Sequence, residues 1–127
     1  MDISGIKLTA NDFVYDKDNV YINKKITKGN PGLLLIYANW CGHCKRFKPT
    51  YNELCQQMGS KFPCVSIEDE QLNNNSKLVS KLNFQGYPTI KFFDQHGKLL
   101  GDYNGDRNKS SLLNHICDVY HHCARYH

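Results

Sequence analysis

"GLLLIYANWCGHCKRFKPT", residues 32 to 50, joins a strand-like run to a helix-like run through two closely spaced cysteines. Gly32 to Ala38 is continuously apolar and of strand length, the pattern of a buried strand in a mostly parallel sheet. From Gly42 to about Met58, Phe47, Tyr51, Leu54, Cys55 and Met58 fall at i, i+4, i+7, i+8 and i+11. That spacing predicts a helix with one apolar stripe, leaving Lys45, Lys48, Glu53 and Gln57 outside it, and with Pro49 kinking it or weakening one turn. Cys41 and Cys44 sit where the strand hands over to the helix. Three readings compete for them: a redox pair that opens and closes as a disulfide, half of a zinc site, or two ordinary buried cysteines.

Outward from this segment, strands alternate with helices. "FPCVSI" (62 to 67) reads as a strand, followed by an Asn-rich loop "QLNNNS" and a short helix carrying Leu78, Val79 and Leu82. "TIKFF" (89 to 93) and "KLLGDY" (98 to 103), joined by "DQHG", read as a hairpin. Ser110 or Ser111 is placed to cap a last helix whose Leu112, Ile116, Val119, Tyr120 and Cys123 share a face. Residues 1 to 32 give no clear pattern, and residues 120 to 127 read as a frayed, His-rich tail. The sum is an α/β sheet covered by helices, one domain over residues 1 to 127.

Composition restricts the setting. A chain of 127 residues supports one core but not two, and 40% hydrophobic with 22% charged residues is ordinary for a soluble globular protein. No run approaches eighteen apolar residues, and "MDISGIKLTANDF" lacks the basic and apolar regions of a secretory signal, so neither a membrane nor export is expected. The net charge of +4 comes from scattered lysines without the clustering of a nucleic-acid groove. Six cysteines in an apparently unexported chain argue against a stapled framework and for metal-binding or catalytic use of the C-x-x-C.

A thiol attacks only as thiolate, and an ordinary cysteine with pKa about 8.5 is mostly protonated at pH 7. Cys41 stands at the start of the helix, where unpaired backbone N–H groups and the positive end of the macrodipole favour its thiolate. His43, when protonated, adds a second positive field and Lys45 a weaker one. Cys44, one turn on, points inward and is held to resolve a mixed disulfide formed on Cys41. Stabilising the Cys41 thiolate stabilises the reduced pair, which makes the disulfide a better oxidant. Zinc needs four ligands and a lone C-x-x-C supplies two. A second cluster, "HICDVYHHCARYH" with His115, His121, His122, Cys123 and His127, reads as an exposed His-rich terminus rather than a metal site, because on a helix His121 and His122 diverge from Cys123. Cys55 and Cys64 read as small buried hydrophobes. Cys117 and Cys123, six apart on one helix, cannot bridge without breaking it.

"YANWCGHCK" with Pro49 five residues after Cys44, "GYPTIKFF" and "DYNGDR" together resemble the thioredoxin superfamily and, within it, the redox domains of protein disulfide isomerases. The likeness runs from about Leu33 to Ile116, with "KLTANDF" faintly similar to the family's first strand. It implies a thioredoxin fold, a mixed central sheet flanked by helices, and an enzyme exchanging disulfides with protein or peptide substrates, oxidase- or isomerase-leaning. It also implies a Cys41–Cys44 redox disulfide within Cys41-Gly42-His43-Cys44, a cis Pro88 against the thiols, a Tyr87 backbone that pairs with substrate, Trp40 and Gly105 bordering the same groove, and Arg107 favouring the Cys44 thiolate. No cofactor or metal is expected; the electron partner, whether glutathione, a reductase or a thiol oxidase, is left open. Two positions depart from the family: its buried acid is Leu35 here, and its lysine is Ser66, or Cys64 in the thioredoxin register. That puts fast deprotonation of Cys44 in doubt and makes a binding module with weak redox cycling the alternative. With no entry signal, the cytosol is the default location; the excess of Asn, Lys, Ile and Tyr is similar to that of AT-rich protist and large-DNA-virus genes, making a virion or viral factory the alternative.

Overall fold

The computed structural model describes residues 2 to 123. Strand β4 (Gly32–Tyr37) is buried at every position and forms the middle of a five-stranded sheet. Its neighbour β5 (Cys64–Glu68) runs parallel, with Leu33 opposite Cys64, Leu35 opposite Ser66 and Tyr37 opposite Glu68. On the other side β6 (Thr89–Phe93) runs antiparallel and carries the antiparallel edge strand β7 (Leu99–Asp102). The two-residue β1 (Ile6–Lys7) pairs parallel with β5 at the opposite edge. A continuous apolar run was the expected mark of a strand covered on both faces, and β4 is covered on both.

Alternation along the strands sorts the core into two layers. Leu33, Leu35 and Tyr37 face helix α2 (Gly42–Met58) and helix α5 (Lys109–Tyr120), joining Phe47, Tyr51, Leu54, Leu112, Leu113 and Ile116. Leu34 and Ile36 face the other way, toward Leu78 and Leu82 of α4 (Ser76–Leu82), Leu72 of α3 (Asp69–Leu72), and Phe13, Val20 and Ile22. Those last three belong to an antiparallel hairpin, β2 (Phe13–Asp16) and β3 (Asn19–Ile22), followed by the single-turn α1 (Lys24–Thr27). The first thirty residues, unpatterned in sequence, thus close one face of the sheet.

Gly32 permits the closest approach in the sheet: a Cβ there would run into the Pro63 carbonyl and the Phe93 ring. Buried Lys91 is neutralised by an ion pair with Asp102 across β6 and β7.

Helix α2 continues through exposed Pro49, which has no N–H to give the preceding turn. Several expectations change. The cap of α5 is Asn108, whose side chain accepts from Ser111 N at 2.8 Å, so Ser110 and Ser111 lie inside the helix. Val119 is 53% exposed rather than on the core face. Helix α5 stops at Tyr120 because His121 is left-handed, φ 59°, and Cys123 turns back to form a disulfide with Cys117, Cα to Cα 4.3 Å. The helix is broken at the bridge, which is the condition such a pair requires. Cys55 and Cys64 are not independent hydrophobes either: they form a disulfide between the last turn of α2 and the start of β5, Cα to Cα 5.7 Å. Two bridges overturn the expectation that this chain carries no stapling. His115, in α5, packs on Phe92 at 4.9 Å and His122 on Phe62 at 5.5 Å, so these two histidines lie against aromatic rings rather than standing free. Residues 124 to 127 of the tail, His127 among them, lie outside the described residues.

Candidate active site

Cys41 is the N-cap of α2, in extended conformation, and its sulfur accepts the Cys44 N–H at 3.3 Å. Cys41 and Cys44 are free thiols, 7% and 3% exposed. Burial pushes the Cys41 thiol up, but hydrogen bonds from the Cys44 side chain and from the Cys44 and His43 backbone, with the Arg107 charge, outweigh it and hold the thiol below its ordinary value. Burial dominates at Cys44 and, reinforced by Cys41, pushes that thiol up to about 12 against a backbone hydrogen bond from Ala38 and the charge of Arg107. The pair is therefore asymmetric, with the ionisable sulfur at the helix end and the neutral one behind it.

His43 Nδ1 faces Arg46 Nη2 at 2.9 Å, where the ring nitrogen accepts from the guanidinium. The His43 backbone N–H and the charge of exposed Arg107 both favour the Cys41 thiolate, and Arg107 acts on Cys44 as well. Gly42 opens α2 with nothing near its Cα to crowd an approaching chain.

The Tyr87–Pro88 peptide bond is cis, and the Tyr87 carbonyl lies 3.6 Å from Cys41 Sγ, accepting from the thiol. Beside it opens a cleft of about 580 Å³ lined by Tyr87, Pro88, Thr89, Tyr103, Gly105 and Arg107 among others. Trp40 does not line it, contrary to the shared groove expected with Gly105. Its indole, 68% exposed, packs edge-on against the Tyr87 ring at 5.6 Å and donates to Asp69 Oδ2 at 3.2 Å. Tyr87 Oη donates to Asp69 Oδ1 at 2.5 Å. One carboxylate at the start of α3 thus fixes both aromatic side chains, and burial together with this bond raises the Tyr87 phenol above its ordinary range.

Asp69 was not picked from the sequence. Its only trace there is the acidic "EDE" closing a strand, and nothing local says that a residue 29 positions from Trp40 and 18 from Tyr87 meets both. Tyr37, likewise unremarked, is buried in the Cys44 cluster; burial, then the Glu68 charge, then Cys44 raise its phenol. Leu35 and Ser66, the departures noted in sequence, are register partners on this same face, and the Ser66 hydroxyl has no hydrogen-bond partner among the described residues. No group of three or more His, Cys, Asp or Glu among the described residues is arranged for a metal ion.

The thioredoxin family model matches residues 13–118. Protein disulfide isomerase-like 1-1 of Arabidopsis thaliana is 31% identical over 107 residues, covering 83% of this chain and 21% of its own length. Protein disulfide-isomerase erp38 of Neurospora crassa is 36% identical over 93 residues, 73% of this chain and 25% of its own. A mitochondrial thioredoxin domain-containing protein of Schizosaccharomyces pombe is 32% identical over 114 residues, 83% of this chain and 31% of its own. The chain therefore spans about a fifth to a third of these relatives. Among solved structures, the Trx4 domain of ERdj5 superposes with a TM-score of 0.68 at 18% identity, covering 92% of this chain and 96% of that one. The Drosophila thioredoxin Deadhead superposes at 0.61 with 23% identity, covering 75% and 86%. With a mixed sheet between two helical layers, a C-x-x-C at the head of α2 and a cis-proline against its first sulfur, the chain belongs to the thioredoxin family.

Proposed function

We propose that the protein is a dithiol/disulfide oxidoreductase that exchanges disulfides with protein or peptide substrates through Cys41 and Cys44. The observation that carries this reading is Cys41 Sγ at the N-terminus of α2, receiving the Cys44 N–H while it touches the Tyr87 carbonyl. The Cys41 thiolate attacks a substrate disulfide; the new S–S bond joins Cys41 to substrate and the other substrate sulfur leaves as thiolate. Cys44 then loses its proton and attacks Cys41 Sγ, closing the Cys41–Cys44 disulfide and releasing the reduced substrate. Run backward, the oxidised pair takes two electrons from a substrate dithiol. Depression of Cys41 favours the reduced pair and so the backward, oxidising direction, about 30 mV for each 1.4 kcal/mol of thiolate stabilisation. The Tyr87 backbone at the cis bond, just ahead of β6, is where a substrate peptide adds as a strand.

Turnover of insulin disulfides tests the reading: Cys41→Ser abolishes it, and unchanged turnover ends the assignment. A second reading, a peptide-binding module that cycles weakly, is favoured by Leu35 and Ser66 where the proton-relaying pair is expected. A mixed disulfide trapped by Cys44→Ser supports the enzyme, whereas peptide binding indifferent to both cysteines supports the module. For location, the two disulfides favour a compartment more oxidising than the cytosol expected at first.

A further inference from the structure

Cys55 lies fourteen residues beyond Cys41 on α2, about 21 Å along the axis at 1.5 Å per residue, so the Cys55–Cys64 bridge is remote from the C-x-x-C. It is not sealed in the core. A cavity of about 500 Å³ opens over it, lined by both cysteines and by Lys25, Thr27, Lys28 and Gly59 among others. Cys55 is partly exposed and Cys64 is 5% exposed, so Cys55 is the more exposed end of the bridge. Lys25 and Lys28 are exposed and make no salt bridge among the described residues, and no Asp or Glu lines the cavity. Positive charge and the more exposed end of a disulfide meet in one space.

We propose that this cavity is a second redox site, taking a small anionic thiol of the glutathione class that exchanges with the Cys55–Cys64 disulfide. Lys25 and Lys28 hold the carboxylates of the incoming molecule and bring its thiolate to Cys55. The thiolate attacks Cys55 Sγ, the Cys55–Cys64 bond breaks, and its electron pair leaves on Cys64 sulfur, which takes a proton from water. The product is a mixed disulfide on Cys55 with a Cys64 thiol. A second thiol molecule attacks the mixed disulfide, releasing the small-molecule disulfide and a Cys55 thiol; two thiols have supplied two electrons. This reaction unties the last turn of α2 from β5 and uses neither Cys41 nor Cys44, so it stands or falls apart from the function proposed above.

The test treats the full chain, as Cys41→Ser/Cys44→Ser, with reduced glutathione or with uncharged 2-mercaptoethanol, and follows each cysteine by peptide mapping. The expected result is a glutathione adduct on Cys55, formed faster than the 2-mercaptoethanol adduct by about ten-fold or more at low salt, the advantage shrinking as salt is raised. Lys25→Gln/Lys28→Gln should remove that advantage while leaving the 2-mercaptoethanol rate unchanged; circular dichroism establishes that this surface variant is folded. Absence of any adduct on Cys55, or a glutathione preference that survives loss of both lysines, overturns the proposal.

Discussion

At the scale of single residues the site works by contrast between two sulfurs three positions apart. Alkylation of the reduced protein across pH should give a midpoint for Cys41 below that of free cysteine, while Cys44 stays unreactive until about pH 12. Arg107→Gln should move the Cys41 midpoint up, because a cation favouring the thiolate is removed. The linkage signs are opposite. Cys41, depressed on folding, contributes stability above its unfolded value near 8.5, lost as pH falls through its folded value; Cys44, raised, contributes below about 8.5 and loses that contribution as pH climbs toward about 12. Asp69→Ala frees both the Trp40 indole and the Tyr87 hydroxyl. Hydrogen bonds to a charged group are worth about 1.5–3 kcal/mol when buried, less when exposed, so peptide KM should rise roughly ten-fold with little change in the alkylation profile of Cys41. The two cysteines were legible in sequence because their chemistry is carried by neighbours in the chain, whereas Pro88 was reached only through the family resemblance. Asp69 was not, because its partners meet it only across the sheet end.

Among the elements, α2 was readable closely, since its stripe of Phe47, Tyr51 and Leu54 has the helical period and Cys41 stands at its start. The cap of α5 was misread by two or three positions: an Asn and two Ser stand close together, and only backbone geometry decides which oxygen meets the free N–H groups. Asn108→Ala should therefore cost about 1 kcal/mol in urea unfolding, whereas Ser110→Ala, inside the helix, should be nearly neutral. Gly32 sets how closely β4 approaches Phe93 and Pro63. Gly32→Ala should destabilise by about 1–3 kcal/mol, lowering the midpoint of thermal unfolding by several degrees. The β2–β3 hairpin was not foreseen, because "DKDN" lacks the Asn-Gly or Asp-Gly signature; its turn is closed by Lys17 at φ 56°.

For the whole molecule the unexpected feature is that four of the six cysteines are joined in two bridges. The chain-entropy model gives about 2–3 kcal/mol for a loop the size of that between Cys55 and Cys64. Cys55→Ser/Cys64→Ser should lower the urea midpoint by a matching amount, while the Cys41 alkylation profile, set at the far end of α2, stays where it is. The sequence by itself determined the alternation of strands and helices, the placement of Cys41 at a helix start and the asymmetry between Cys41 and Cys44, because periodicity and helix-end electrostatics act over a few residues. Tertiary structure alone decided that Cys55 meets Cys64, that Asp69 joins Trp40 to Tyr87, that Leu35 lies opposite Ser66 and that Arg107 acts on Cys41 as well as on Cys44. Each of those depends on strand register and loop closure, which bring together side chains whose separation along the chain leaves no local pattern to read.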